Sequence, residues 1–227
     1  MTTTNPAAPA APLAPPDLAR IAKTVATKLP FRGDVTGLTP LAGDASNRRY
    51  FRVALKGKPS ALILMQLADP EGFKKSEEAV SGASVQIAEL PFTNVLAHLQ
   101  RTGVTVPQLH YYDREAGLLY LEDFGDLTLA EACRDADRAR LVSLYRQAID
   151  QLVLLQVKGT QPPAPGCIAF HRGFDVPLLM WEFDHFLEYG IVARLGQPMK
   201  PADDKAVRAE FQRIAELLAG QPQVFVH

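Results

Sequence analysis

Short hydrophobic runs separated by turn residues dominate the first half of the chain. Such runs occupy residues 37–41, 50–55 and 61–67, and the segments between them are rich in glycine, serine, asparagine and proline. Two more runs lie within residues 108–126, on either side of a turn at residues 114–117. This pattern predicts five strands that form an antiparallel sheet.

Two segments near these strands have helical spacing instead. A helix capped by Asp17 and ended by Pro30 is predicted before the first strand. Residues 92–99 repeat apolar side chains at i, i+3, i+4 and i+7, and Gly103 follows at the position of a left-handed C-cap. The first half is therefore predicted to be a sheet with one helix before it and one helix inserted.

Hydrophobic residues after Asp126 recur with the period of α-helices. One apolar stripe runs from Leu141 to Leu155, a second helix is predicted over residues 178–195, and a third over residues 207–218. The segment "GTQPPAPG" is interpreted as a linker within this region, because the helices on both sides need each other's apolar faces. The sequence as a whole predicts an α+β protein.

The last seven residues, "QPQVFVH", join a turn dipeptide to a short apolar run. A run of this kind is typical of a buried strand. We therefore expect a strand that ends at His227, the final residue of the chain.

Composition places the chain among globular proteins that bury a sizeable core. Apolar residues make up 47% and charged residues 22%, and the formal net charge of -1 argues against a nucleic-acid partner. Two cysteines, Cys133 and Cys167, do not make a disulfide framework, which fits a cytoplasmic location. No stretch is long enough to cross a membrane, and residues 1–16 are expected to be a disordered Ala/Pro tail.

Two segments carry residues suited to ligand binding. In residues 41–53, small residues let backbone N–H groups approach a ligand while arginines supply charge for phosphate oxygens, although a charged hairpin turn explains them equally well. The arginines are Arg48, Arg49 and Arg52. In residues 118–126, "LLYLEDFGD", a strand exit can offer backbone groups to a planar base, with an ordinary strand end as the alternative.

Together these segments resemble the aminoglycoside phosphotransferase-like kinases. The similarity lies in "LAGDASNRRYFRV", "LILMQLADP", "FTNVLAHLQRTGVTVPQLHYYDREAGLLYLEDFGD" and "QPQVFVH", in that order, and covers about residues 17–227. Within the family, the chain is most similar to the bacterial branch that includes N-acetylmuramate/N-acetylglucosamine anomeric sugar kinases, which act in cell-wall sugar recycling. The resemblance implies a protein-kinase-like fold, with a five-stranded antiparallel nucleotide-binding lobe over residues 17–122 and an incomplete helical lobe over residues 123–227.

The resemblance also implies which residues hold a nucleotide. The loop over the phosphates corresponds to Gly43, Asp44, Ala45, Ser46 and Arg48. Because the strand at residues 61–66 lacks the lysine that protein kinases use for the phosphates, Arg48 or Arg49 is expected to supply that charge instead. The segment "LEDF" corresponds to the hinge, where Glu122 and Phe124 present backbone groups to adenine and Asp123 is an acidic neighbour.

The implied cofactors are ATP and Mg²⁺, and the implied substrate is a sugar. In such kinases an H-x-D-x-x-x-x-N loop supplies the Asp that positions the attacking hydroxyl and the Asn that binds Mg²⁺. His227 corresponds to the first residue of that loop. No catalytic residue and no metal ligand is therefore assigned within the chain, which we expect to be an N-terminal fragment without activity on its own.

Other interpretations remain beside this one. A non-catalytic module that binds a nucleotide or a partner is the alternative, because the expected general base lies outside the sequence. Asp175, Glu182, Asp184 and Glu188 are expected to be solvated or to line a substrate side. His98, His110, His171 and His185 lack the spacing of a zinc site. A transferase with a covalent intermediate would need a nucleophile paired with a base, which the sequence does not offer.

Overall fold

The computed structural model of the chain describes residues 14–42, 48–68, 89–171 and 173–226. Grouped by the spatial proximity of their Cα atoms, the residues it describes form two compact units. The sheet unit contains the described residues before residue 69 together with Pro107–Asp126, and the helical unit contains residues 89–106 and those from Leu127 onward. The functional boundary drawn from the sequence at residue 122 stays a prediction.

Five antiparallel strands form the sheet unit. They are β1 (Asp34–Pro40), β2 (Arg48–Lys56), β3 (Ala61–Leu67), β4 (Leu109–Asp113) and β5 (Leu118–Glu122). Their order across the sheet is β1-β2-β3-β5-β4, and every neighbouring pair is antiparallel. The predicted α+β class and the predicted five-stranded antiparallel sheet are confirmed.

Helix α1 (Leu18–Thr27) covers one face of this sheet. The Asp17 carboxylate accepts a hydrogen bond from the backbone N–H of Ala19, which satisfies one of the unpaired donors in the first turn. Ile21 and Val25 are fully buried against the sheet, whereas Leu18 at the start of the helix is 48% exposed. The apolar stripe of α1 therefore supplies one side of the main core.

An ion pair fastens α1 to the β4–β5 hairpin. The Arg20 guanidinium donates to both carboxylate oxygens of Asp113, at 2.8 and 3.0 Å. Asp113 is 8% exposed, and the hydrogen bonds from Arg20 lower its pKa despite the opposing effect of burial. The pair thus joins elements that lie 93 residues apart in the sequence.

The helical unit follows the predicted pattern with one local departure. Its elements are α2 (Pro91–Arg101), α3 (Leu129–Cys133), α4 (Arg138–Thr160), a 3-10 helix (Ile168–His171), α5 (Val176–His185), a π-helical segment (Phe186–Val192), α6 (Ala193–Leu195) and α7 (Pro201–Ala219). The π-helical segment interrupts the helix expected over residues 178–195. Gly190 lies there, and a Cβ at that position would come 3.0 Å from the Phe186 ring.

The C-terminal segment is not the strand that the sequence predicted. Residues 222–226 have no regular secondary structure, and within the described part of the helical unit no strand lies beside them. A strand needs a neighbour for its backbone hydrogen bonds, and here the Phe225 N–H donates to the Thr160 hydroxyl at 2.8 Å instead. His227 lies outside the described residues.

Candidate nucleotide-binding site

The two faces of the sheet differ because strand side chains alternate. Phe51, Val53, Leu62 and Leu64 point toward α1 and form the core. The residues between them point to the opposite face, which we call the open face. It carries Arg48, Tyr50, Arg52 and Ala54 on β2, Ala61, Ile63 and Met65 on β3, and Leu119 and Leu121 on β5.

Small side chains lie at one end of the open face. Ala54 and Ala61 are cross-strand partners, so only two methyl groups project there. Ile63 beside them is partly exposed, whereas Met65 and Leu119 further along are fully buried. The accessible, flat and apolar part of the open face is therefore centred on Ala54, Ala61 and Ile63.

The strand exit "LEDF" begins next to this flat surface. Glu122 is the cross-strand partner of Leu62, so the chain leaves β5 beside the start of β3. The Glu122 N–H donates to the Gln108 carbonyl at 2.9 Å, and its carboxylate accepts from the Gln108 N–H at 3.1 Å. Glu122 thus uses its own N–H within the fold.

Phe124 has a backbone N–H that is available to a ligand. Among the residues that the structure describes, no hydrogen-bond partner exists for its backbone N–H, and its side chain is 61% exposed. A free N–H beside a flat apolar surface suits the edge of a planar heterocycle, which accepts a hydrogen bond in its plane. The residues present therefore fit an adenine base.

Asp123, which is expected to be an acidic neighbour of the ligand, has its carboxylate bound within the protein. Arg52 donates to both of its carboxylate oxygens, at 2.6 and 3.1 Å, and the Gly125 N–H donates to it at 2.8 Å. These hydrogen bonds, led by those from Arg52, lower the pKa of Asp123. The side chain is 10% exposed, so its negative charge is neutralised by Arg52 and faces little solvent.

Arg52 also donates to Asp126 at 2.8 Å, and this second carboxylate is 81% exposed. The sequence had offered Arg52 as a phosphate ligand, but its guanidinium is bound by two carboxylates, which raise its pKa further above the usual range. We call Arg52, Asp123 and Asp126 the hinge clamp. It holds the strand exit onto β2, and Gly125 permits the turn because its φ of 80° favours glycine.

The two remaining arginines of β2 lie on different faces. Arg48 alternates with Arg52 and shares the open face. Arg49 lies on the α1 side, where its guanidinium is 5.1 Å from the centre of the Phe51 ring. The sequence had grouped these two residues, and the structure brings only Arg48 to the same face as Ile63. Gly43, Asp44, Ala45 and Ser46 lie outside the described residues.

Two of the four acidic residues considered as candidates in the helical unit have structural partners. Asp175 caps α5 by accepting from the Leu178 N–H at 2.9 Å, and Asp184 pairs with Arg208. Across the described ranges there is no group of three or more His, Cys, Asp or Glu residues that could hold a metal ion. Within those ranges, no residue is assigned to Mg²⁺.

The helical unit contains a cavity of about 700 Å³. Aromatic and aliphatic side chains line most of it, and Thr160, His171 and Gln223 add polar groups. The His171 ring is held by a hydrogen bond of 2.6 Å between Nε2 and the Pro165 carbonyl. The last described residues, 223–226, form one wall.

Comparison with known proteins identifies the group to which these features belong. Three curated relatives are each called N-acetylmuramate/N-acetylglucosamine kinase. The protein from Pseudomonas putida is 30% identical over 194 residues, covering 84% of this chain and 48% of that protein. The protein from Pseudomonas aeruginosa is 28% identical over 197 residues, with 84% and 48% covered, and that from Neisseria meningitidis serogroup B is 25% identical over 191 residues, with 84% and 50% covered.

The chain spans about half the length of these relatives. No helix among the described residues is both long and apolar enough to cross a membrane. The family model described as "Phosphotransferase enzyme family" matches residues 37–227, which include the whole open face and the hinge clamp. This chain belongs to the phosphotransferase enzyme family.

Proposed function

We propose that the chain is an ATP-dependent phosphotransferase polypeptide whose sheet unit binds ATP on the open face. The observation that carries this proposal is the strand exit at residues 122–124. Glu122 is the cross-strand partner of Leu62 at the start of β3, and Phe124 follows with a backbone N–H that has no hydrogen-bond partner among the described residues. Adenine would stack on the flat part of the open face, donate to the Glu122 carbonyl and accept from the Phe124 N–H. The hinge clamp would fix the strand exit in the position that this requires.

The phosphates would extend along the open face toward Arg48. Its place on the same face as Ile63 supports this role, as does the fork of N–H donors that a guanidinium presents to phosphate oxygens. Gly43, Asp44, Ala45 and Ser46 are proposed as the covering loop on the strength of the family resemblance. Arg49 is a weaker candidate, because its guanidinium lies over Phe51 on the other face.

Mg²⁺ would enter with ATP and neutralise charge that develops on the phosphates. The described residues supply no ligand set for it. Its protein ligands, like the aspartate that positions the acceptor hydroxyl, are not assigned in this chain.

The acceptor is proposed to be a sugar hydroxyl, and specifically that of an amino sugar such as N-acetylmuramate or N-acetylglucosamine. The names of the three relatives support this choice. Because the chain spans about half of those proteins, nucleotide binding and phosphate transfer are separate proposals. A non-catalytic nucleotide- or partner-binding module is the second candidate, because the strand exit and the open face support nucleotide binding alone.

Calorimetric titration with MgATP and a phosphate-transfer assay test the two proposals in turn. We expect saturable binding of ATP with one site per chain. Transfer is then measured with N-acetylglucosamine and N-acetylmuramate as acceptors, with glucose as a control sugar. Binding without transfer would support the nucleotide site and agree with the expectation that this chain has no activity on its own, and absence of binding at millimolar ATP would refute the proposed nucleotide site.

A further inference from the structure

Helix α2 buries two polar side chains on one face. Asn94 is 8% exposed and His98 is 3% exposed, and they lie four residues apart, which places them one above the other on the helix. Buried polar groups destabilise a protein unless they form hydrogen bonds. Their partners therefore indicate what this face of α2 holds.

Asn94 holds the loop that follows α4. Its amide nitrogen donates to the Gly166 carbonyl at 2.8 Å, and its amide oxygen accepts from the Ile168 N–H at 2.8 Å. A single side chain thus satisfies a backbone acceptor and a backbone donor on the same loop. This fixes residues 166–168, which lead into the 3-10 helix containing Phe170.

His98 holds the end of α4. Its Nε2 lies 2.7 Å from the Gly159 carbonyl, and because a carbonyl only accepts, Nε2 carries the proton. Gly159 is in the last turn of α4, where carbonyl groups lack partners within the helix. The imidazole therefore supplies one of the missing donors.

The same imidazole is also a platform for the C-terminal segment. The Phe225 ring stacks on it, with ring centres 5.6 Å apart and an angle of 21° between the planes. The edge of Phe170 contacts the imidazole from another direction, at 5.3 Å and 84°. Phe225 also lines the cavity of about 700 Å³, so its ring is not enclosed on all sides.

Two residues of α4 complete the contact. The Thr160 hydroxyl accepts from the Phe225 N–H at 2.8 Å. At Gly159, a Cβ would lie 3.2 Å from the Phe225 Cβ and 3.3 Å from its Cγ, closer than ordinary van der Waals contact. The backbone of α4 can approach the ring this closely only because residue 159 has no side chain.

We propose that His98, Gly159 and Thr160 form a seat for Phe225 that positions the backbone of residues 222–226. If the catalytic loop begins at His227, as the family resemblance implies, the seat fixes the segment that leads into that loop; this consequence rests on the proposed function. His98 and Thr160 are then positioning residues, since they act through Phe225.

Amide hydrogen exchange followed by NMR tests the seat in the chain without nucleotide. Thr160→Val keeps the shape of the side chain and removes the acceptor, so we expect the Phe225 amide to exchange at least about five-fold faster, as a freed amide does. Thr160→Ser keeps the hydroxyl and is expected to restore slow exchange. Equal Phe225 exchange rates in the valine variant and the wild type would overturn the proposal.

Two glycine variants test the close approach independently. Gly159→Ala is expected to displace Phe225, to speed exchange at residues 223–226, and to remove the ring-current shift that Phe225 imposes on the His98 ring protons. Gly166→Ala is the matched control, because a Cβ there would meet no atom within 4 Å. Equal spectra for these two variants would contradict the seat.

The extent of the change distinguishes positioning from general stabilisation. We expect faster exchange confined to the C-terminal segment, and acceleration by the same factor throughout α4 and α7 would contradict a positioning role. Neither measurement requires nucleotide or activity. The seat can therefore fail while ATP binding succeeds, and the reverse.

Discussion

Leu64 and Ile63 are adjacent on β3 but face opposite sides of the sheet, so their replacement by alanine should separate stability from nucleotide binding. Leu64 is fully buried and lies between Phe51 and Tyr120 in the α1-facing core. Ile63 is partly exposed on the open face, between Arg52 and Leu121. The alternation of strand side chains makes each residue the control for the other.

The expected magnitudes follow from burial. A leucine at 0% exposure that is cut to alanine loses about 2–5 kcal/mol of stability, because transfer energy and a cavity both contribute. A loss of about 3 kcal/mol lowers the melting temperature of a chain of 227 residues by roughly 6–12 °C. Ile63→Ala removes three carbons that are partly exposed, so its stability cost is about 1 kcal/mol.

For nucleotide affinity, Ile63→Ala should have the larger effect and Leu64→Ala the smaller one. If adenine packs on Ile63, removal of those three carbons costs about 1 kcal/mol of binding free energy, which is roughly a five-fold increase in the Kd for ATP. Leu64→Ala should keep the wild-type Kd at temperatures where it is folded, because Leu64 points away from the ligand.

Two assays decide the matter. Urea denaturation followed by circular dichroism gives the free energy of unfolding, and calorimetric titration at 15 °C gives the Kd. The reasoning is refuted if Ile63→Ala binds ATP as tightly as the wild type, or if it destabilises the chain as much as Leu64→Ala does.

Three further predictions concern single side chains of the sheet unit. Arg48→Ala should raise the Kd for ATP about ten-fold by calorimetry, because a charged contact to a phosphate is lost, whereas Arg49→Ala should leave the Kd within about two-fold. Equal effects of the two variants would contradict the claim that only the open face of the sheet binds the phosphates. Asp123→Asn should weaken ATP binding about five-fold, because the strand exit loses its main contact with Arg52. Asp126 is exposed, so Asp126→Asn should change the Kd less than about two-fold. An unchanged Kd in both variants would show that the hinge clamp does not position the site. Burial lowers the pKa of His110, only partly opposed by a nearby carboxylate. As the pH falls below about 6.5, the unfolded chain takes up a proton that the folded His110 resists, so stability should fall, and His110→Phe should flatten this loss in melting curves between pH 7.5 and 5.5.

The sheet could be predicted because its signals are local. Alternating apolar residues and turn sequences are read within a few positions, and the Asp17 cap depends on a residue only two positions away. The strand exit at Glu122 could be located for the same reason. These features follow from propensity and pattern, which the sequence displays directly.

The hinge clamp could not be predicted, because it joins residues 71 and 74 positions apart. Nothing in the neighbourhood of Arg52 distinguishes it from Arg48, and only the register of β2 against β3 and β5 shows which arginine reaches Asp123. The strand register would have indicated the contact, because it pairs Arg52 with Ile63 and Ile63 with Leu121, which lies two residues before Asp123.

The prediction of a strand in the C-terminal segment was wrong for a different reason. Val224, Phe225 and Val226 have strong strand propensity, but propensity is realised only when another strand accepts the backbone hydrogen bonds. Thr160 takes the Phe225 N–H instead. The stripe from Leu141 to Leu155 was correctly predicted to be helical, although only Leu155 at its end is buried and Tyr145 is 52% exposed.

The central claim is that adenine binds the open face and contacts the backbone at Phe124. Its most direct test is the titration of ¹⁵N-labelled chain with MgATP, followed by two-dimensional NMR. The account predicts a downfield shift of the Phe124 amide proton as it forms its hydrogen bond, together with shifts at Ala54, Ala61 and Ile63. Saturable binding that leaves these amides unchanged and shifts others would contradict it.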